Sequence, residues 1–307
     1  MLRSLFARAS LVVCLFAGCA LAVAAPPRVV KVGVVRSLVR NAEPQLFQVV
    51  ASTFSTVVKA QTGLDGELIA FNTPDDVRRG LENGELQLGV MYGVEFGWMK
   101  QKQPNLLPLM LNEIDPDALE GVVVVRHDSG VKSLKECRGK KVAIPATTRA
   151  DTRLFLTQRC RSCGLPTAEM FGDTVTPPSI EEALDQVVDG QVAVAAVEQS
   201  GMKMFERRKP ARFRRLHILE QSEKFPPSVI VYHRNKVDDA ILAQFRDGMS
   251  TAHNSVLGSH LMKLMNVRQF APAKNDFQHR VDQIVKLYPS PDDTITLRAF
   301  EAKGDSK

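Results

Sequence analysis

Lys141-Val-Ala-Ile-Pro-Ala-Thr-Thr-Arg-Ala-Asp-Thr152 is the stretch on which the reading of this chain turns. Val142, Ala143 and Ile144 make a short buried strand, residues 145–148 a polar turn, and the sequence from Arg149 onward the first turn of a helix. A strand that opens into a helix leaves unpaired backbone N–H groups at the gap, and the macrodipole adds about half a positive charge there. Thr147 and Thr148 stand where their hydroxyls either cap that helix or share its donors with a ligand.

The same local grammar recurs on both sides. Residues 29–35 are a β-branched apolar run, the pattern of a strand buried in a parallel sheet, and Ser37 lies just past its end. A helical stripe follows (Leu46, Phe47, Val50, Phe54, Val57, Val58), with Gly63 as its stop. Further strands are expected at 68–71, 86–91 and 106–111. A helix opening at Thr73-Pro74 and a turn at Tyr92-Gly93 fall between them. Beyond Glu120, strands are expected at 121–125, 174–176, 192–197, 213–219 and 228–232. Ser133 with Glu136 and Ser179 with Glu182 have capping-box spacing, and Glu198-Gln199-Ser200 opens another helix. From Asp238 the chain reads as helical, with a frayed tail after Pro289. Alternating strands and helices define an α/β protein with parallel sheets. Residues 81–90 also echo 187–196: helix end, Asn/Asp-Gly cap, buried strand, polar turn. Two units built alike imply two similar lobes, each presenting strand ends and helix N-termini on one side.

At 307 residues and 44% hydrophobic, the chain can bury two cores of ordinary size. The net charge of +6 is spread out except for residues 207–215, where one aromatic, Phe213, accompanies the arginines. That cluster reads as a solvated face, and no nucleic-acid motif accompanies it. Arg3 and Arg8 precede an uncharged apolar run ending Ala22-Val23-Ala24, the pattern of a secretory signal peptide spanning residues 1–24. A second processing reading, Leu15-Phe16-Ala17-Gly18-Cys19, would leave Cys19 lipidated. The mature chain keeps Cys137, Cys160 and Cys163, for which one structural bridge, with Cys137 a candidate partner, and one spare thiol are expected outside the cytoplasm. His127, His217, His233, His253, His260 and His279 form no metal-ligand or triad motif, so an enzyme is not the expected reading and no catalytic or metal-binding residue is assigned.

In these pieces the chain resembles the periplasmic solute-binding proteins of phosphate/phosphonate-type ABC transporters. The matching stretches are Lys31-Val-Gly-Val-Val35, the Gly84 and Gly190 turns, residues 122–134 with Gly139-Lys140, residues 182–197, and Phe270-Ala-Pro272. The resemblance implies a type II periplasmic-binding-protein fold, two α/β lobes joined by two hinge strands. Residues 25–120 and 231–307 would form lobe 1 and residues 121–230 lobe 2, with crossings near 121–125 and 229–232. It implies a small phosphate- or phosphonate-like anion held between the lobes by Ser37, Tyr92, Gly93, Thr147, Thr148, Arg149, Glu198 and Gln199. It implies no cofactor, and a monomer working with a membrane ABC permease. A ligand sensor signalling to a membrane kinase is the alternative. The family's Ser-Thr-Ser-Gly-like loop stands here as Thr147-Thr148-Arg149-Ala150-Asp151, without its glycine. Arg149 either forks onto an oxyanion in compensation or is a surface residue. The acids usual after the two glycine turns are Gln87 and Ala193.

Overall fold

A computed structural model describes residues 29–39 and 44–290. The signal-type segment, the Cys19 box and the residues beyond 290 lie outside the described residues.

The first half runs β1 (Val29–Val35), α1 (Pro44–Thr62), β2 (Asp65–Phe71), α2 (Pro74–Asn83), β3 (Leu88–Met91), α3 (Gly93–Lys102) and β4 (Leu106–Glu113). The middle runs β5 (Gly121–Arg126), β6 (Lys141–Ala143), α4 (Ala150–Ser162), α5 (Thr167–Met170), β7 (Asp173–Val175), α6 (Ile180–Val188), β8 (Val194–Glu198), α7 (Gln199–Arg208), α8 (Pro210–Phe213) and β9 (Leu216–Gln221). The last part is β10 (Val229–His233), α9 (Asp239–Ser250), α10 (Val256–Met265), β11 (Gln269–Pro272) and α11 (Asn275–Leu287).

These strands form two sheets, ordered β11-β4-β10-β3-β1-β2 and β7-β6-β8-β5-β9. The plans match. In each, three parallel strands (β2-β1-β3, β7-β6-β8) continue into an antiparallel strand (β10, β5) that comes from the far side of a crossing. The internal echo therefore falls on equivalent strands, β3 and β8. Each follows a left-handed glycine, Gly84 (φ 79°) or Gly190 (φ 74°), the conformation a residue without Cβ adopts at least cost. Each is also preceded by the same backbone bond, Gln87 N–H to Lys31 O and Ala193 N–H to Lys141 O, both 3.0 Å.

Val122, Val123 and Val124 of β5 are fully buried because both faces of that strand are covered, at roughly 1.5–3 kcal/mol per side chain. The chain passes between the sheets twice, through residues 114–120 and 222–228. β5 and β10, expected to make the crossings, instead lie one within each sheet, beside the passages. The passages pair with each other: Phe225 N–H donates to Leu119 O (2.8 Å) and Ser222 N–H to Gly121 O (2.8 Å).

Other expectations shift. Phe213 ends a helical turn, so β9 starts three residues later than its apolar run suggested. β11 interrupts the expected all-helical C-terminal part. It is a four-residue edge strand ending in Pro272, a place where proline is tolerated, and too short to show a period. Ser133 and Glu136 frame a 3-10 turn in place of an α-helix, whereas the Ser179 hydroxyl accepts from Glu182 N–H (3.1 Å) and caps α6. The expected bridge is not formed: Cys137, Cys160 and Cys163 are free thiols. Burial pushes the Cys137 thiol up to about 11 and the Cys160 thiol up to about 12.

Candidate ligand site

The site lies where the carboxyl ends of the two parallel strand sets face each other. Ser37 follows β1 in a 3-10 turn, Tyr92 follows β3, Thr147 to Arg149 follow β6, and Gln199 follows β8, whose last residue is Glu198.

On the first lobe, Glu95 organises the turn. Its carboxylate accepts the backbone N–H of Tyr92 (2.9 Å) and, more weakly, the Ser37 hydroxyl (3.4 Å), and Tyr92 Oη donates to Ser37 O (3.3 Å). This is half of a capping box, with the acid at the third helical position. Glu95 is buried, and burial pushes its carboxyl up to about 7 against the lowering bond from Tyr92 N–H, with the Asp151 charge raising it further. Gly93 backs the site: a Cβ there would stand 2.6 Å from Pro226 Cβ and 2.7 Å from Pro227 O, so its missing side chain lets the second passage pack against the turn.

On the second lobe, α4 begins at Ala150 with Arg149 as its N-cap residue, and neither threonine caps it. Thr147 is exposed. Thr148 is buried and its hydroxyl has no hydrogen-bond partner. Arg149 N–H donates to Glu198 Oε1 (2.8 Å), which ties the starts of α4 and α7 together. The Arg149 guanidinium forks onto Asp151 (3.1 and 3.2 Å). Burial works against its charge, but Asp151 and Tyr92 outweigh that and hold it above the ordinary arginine range. Burial first also raises the Glu198 carboxyl, opposed by the Arg149 N–H bond. Gln199 Oε1 is a second buried polar atom without a partner.

The lobes meet here. The Arg149 guanidinium carbon lies 5.1 Å from the centre of the Tyr92 ring, within cation–π range. Of the residues expected at the site, the structure brings Ser37, Tyr92, Thr148, Arg149, Glu198 and Gln199 together. It leaves Thr147 in solvent and puts Gly93 behind the turn.

Sequence reasoning missed three side chains. Glu95 and Asp151 are buried carboxylates, and Arg153, also buried, braces the polar turn by donating to Thr148 O (3.2 Å) and Pro145 O (2.8 Å). The signal for the acids was present: each sits in the first turn of a helix that follows a strand, where the macrodipole favours negative charge. Nothing local marked Arg153.

Two α/β lobes with ligand-side turns facing one another define a two-lobed binding protein of the type II periplasmic class. The family described as "ABC transporter, phosphonate, periplasmic substrate-binding protein" matches residues 40–277. The chain belongs to that family, one of substrate-binding transport proteins and not of enzymes. Membership implies an extracytoplasmic location, a small ligand and a membrane permease partner.

Solved structures share the fold at low identity. A binding-protein component of an ABC phosphonate transporter from Pseudomonas aeruginosa is 15% identical (TM-score 0.56; 85% of this chain, 86% of that one). PhnD1 from Prochlorococcus marinus, in complex with methylphosphonate, is 14% identical (TM-score 0.56; 85% and 98%). A Xanthomonas citri protein bound to ATP is 17% identical (TM-score 0.58; 85% and 96%). No curated protein sequence matches the chain.

Proposed function

We propose that this protein captures a small phosphonate-like oxyanion that also carries a positively charged group, and delivers it to an ABC permease. The observation that carries the reading is the buried, unpartnered Thr148 hydroxyl just before α4, one residue ahead of Arg149. A hydroxyl, a helix N-terminus and a guanidinium are the donors that recognise an oxyanion. The positively charged group follows from the acceptors. Asp151 is already paired with Arg149, and the buried carboxyls of Glu95 and Glu198 lie at the same helix starts, so a positively charged, hydrogen-bond-donating group on the ligand would meet acceptors there. The unpartnered Gln199 Oε1 is a further acceptor awaiting a donor.

The test is calorimetric titration and thermal shift of the chain from residue 25, which lacks the signal-type segment. The panel is phosphate, phosphite, methylphosphonate, 2-aminoethylphosphonate, sulfate and small carboxylates. A ligand that binds only the folded form raises the melting temperature by mass action. The largest shift is expected with 2-aminoethylphosphonate. A larger shift with methylphosphonate or phosphate removes the positively charged group from the reading. A response to carboxylates alone overturns the phosphorus ligand.

A further inference from the structure

The second passage, residues 222–228, is tied to both lobes by one chain of contacts. Tyr288, at the end of α11, donates its hydroxyl to Glu223 Oε2 (2.5 Å) and lays its ring against Phe225 at 4.8 Å. Its carbonyl accepts the indole N–H of Trp98 on α3 (2.9 Å), the helix whose first turn holds Tyr92 and Glu95. On the other side Glu223 pairs with Arg159 (3.7 Å), which lies along α4, the helix whose first turn holds Arg149 and Asp151. Between these ends, Pro226 and Pro227 fill the space that Gly93 leaves open. Tyr288 is buried, Arg159 is half-buried and Glu223 is exposed. Among the described residues, no hydrogen bond or ion pair joins any of the three to the residues of the ligand site.

We infer that Tyr288 and Glu223 are positioning residues, which hold the second passage in the arrangement where Tyr92 and Arg149 meet and so set ligand affinity through closure. A rotation that carries α4 away from the passage separates Arg159 from Glu223, the link by which this chain of contacts reaches the second lobe. The links therefore favour the closed arrangement, and losing one shifts the population toward open forms. Apparent affinity falls with the fraction of molecules that are closed. The affinity part rests on the receptor reading above.

Tyr288→Phe and Glu223→Gln provide the test. The first keeps the ring on Phe225 and the carbonyl on Trp98 but removes the hydroxyl. The second keeps an acceptor for Tyr288 but removes the charge facing Arg159. Small-angle scattering and acrylamide quenching of Trp98, the only tryptophan, report closure without ligand. Titration with 2-aminoethylphosphonate reports affinity.

The expected result for Tyr288→Phe is a larger radius of gyration, more accessible Trp98, and affinity weaker by roughly three- to tenfold, the net worth of one ordinary hydrogen bond, because the Glu223 carboxylate is exposed. Glu223→Gln is expected to retain more of the affinity. A lower melting temperature with unchanged scattering and affinity would show a merely structural contact and overturn the inference. If the wild-type chain does not bind the probe, the ligand reading fails on its own. Scattering and quenching then decide the positioning role.

Discussion

The guanidinium of Arg149 lies over the ring of Tyr92 at 5.1 Å, and the two residues come from different lobes. The same guanidinium forks onto Asp151 in its own helix. One side chain thus joins the donor-bearing start of α4 to the carboxylate-capped start of α3. A double-mutant cycle with Tyr92→Leu and Arg149→Gln should give a coupling of about 0.5–2 kcal/mol in denaturant unfolding. Additive effects would mean that the contact does not hold the lobes together.

Thr148 carries a buried hydroxyl without a partner, and such a group costs about 1–3 kcal/mol. Thr148→Val keeps the shape and removes the hydroxyl. The ligand-free variant should melt at a higher temperature than the wild type and bind 2-aminoethylphosphonate more weakly. A stability gain with unchanged affinity would take Thr148 out of the site.

Glu95 gives stability a pH dependence of defined sign. Its folded value of about 7 lies above the ordinary value of 4.5, so between those limits the folded form binds more protons than the unfolded. The favourable contribution is fully present below about pH 4.5 and is lost as pH rises through 7, at most about 3 kcal/mol in all. Glu95→Gln keeps an acceptor for Tyr92 N–H and should remove this decline, so that the variant is the more stable protein at pH 8. Parallel unfolding curves against pH for the two proteins would contradict the assignment.

Asp151 acts on two groups at once. It partners the Arg149 guanidinium and its charge raises the Glu95 carboxyl. Asp151→Asn should destabilise by about 3 kcal/mol, because it leaves a largely buried cation with half its partner. It should also move the Glu95 titration downward, read as the shift between stability profiles with and without Glu95→Gln. A downward move without destabilisation would mean that Glu198 compensates for the lost carboxylate.

Gly93→Ala tests the packing behind the site. The new methyl meets a proline Cβ and two backbone carbonyls at 2.6–2.8 Å, none of which is the end of a flexible side chain. Overpacking of this kind costs about 1–3 kcal/mol, and relief is expected through opening of the lobes. The variant should show a lower melting temperature together with a larger radius of gyration. A lowered melting temperature at constant radius would place the strain within the first lobe.

Much of this molecule is written in short stretches. The β-branched runs at 29–35 and 121–125 are strands because both faces are buried, and that leaves an uninterrupted apolar signal. Gly84 and Gly190 could be read as turns because the left-handed backbone they adopt is a single-residue property. The repeated helix, glycine and strand at 81–90 and 187–196 showed two lobes of one plan, later found as β3 and β8 in equivalent positions. The helix starts at Tyr92, Arg149 and Glu198 follow from strand-to-turn-to-helix order alone.

Pairing between distant segments was decided elsewhere. Nothing within 229–233 says that β10 joins the first sheet between β3 and β4, and the four residues of β11 carry no period to read. For Thr148 the sequence left two readings open, a helix cap or a hydroxyl facing a ligand. Only the packed structure leaves its hydroxyl unbonded, with Arg149 in the N-cap position. Glu95 sits in a helix's first turn, where an acid draws no notice, and its raised carboxyl comes from burial and from Asp151, 56 positions away. The sequence by itself determined the elements and the plan of each lobe, because hydrophobic period and backbone preference act within a few residues. Which charges are buried together, and which lobe each helix start faces, depends on contacts between segments far apart in the chain, and the tertiary structure alone decided them.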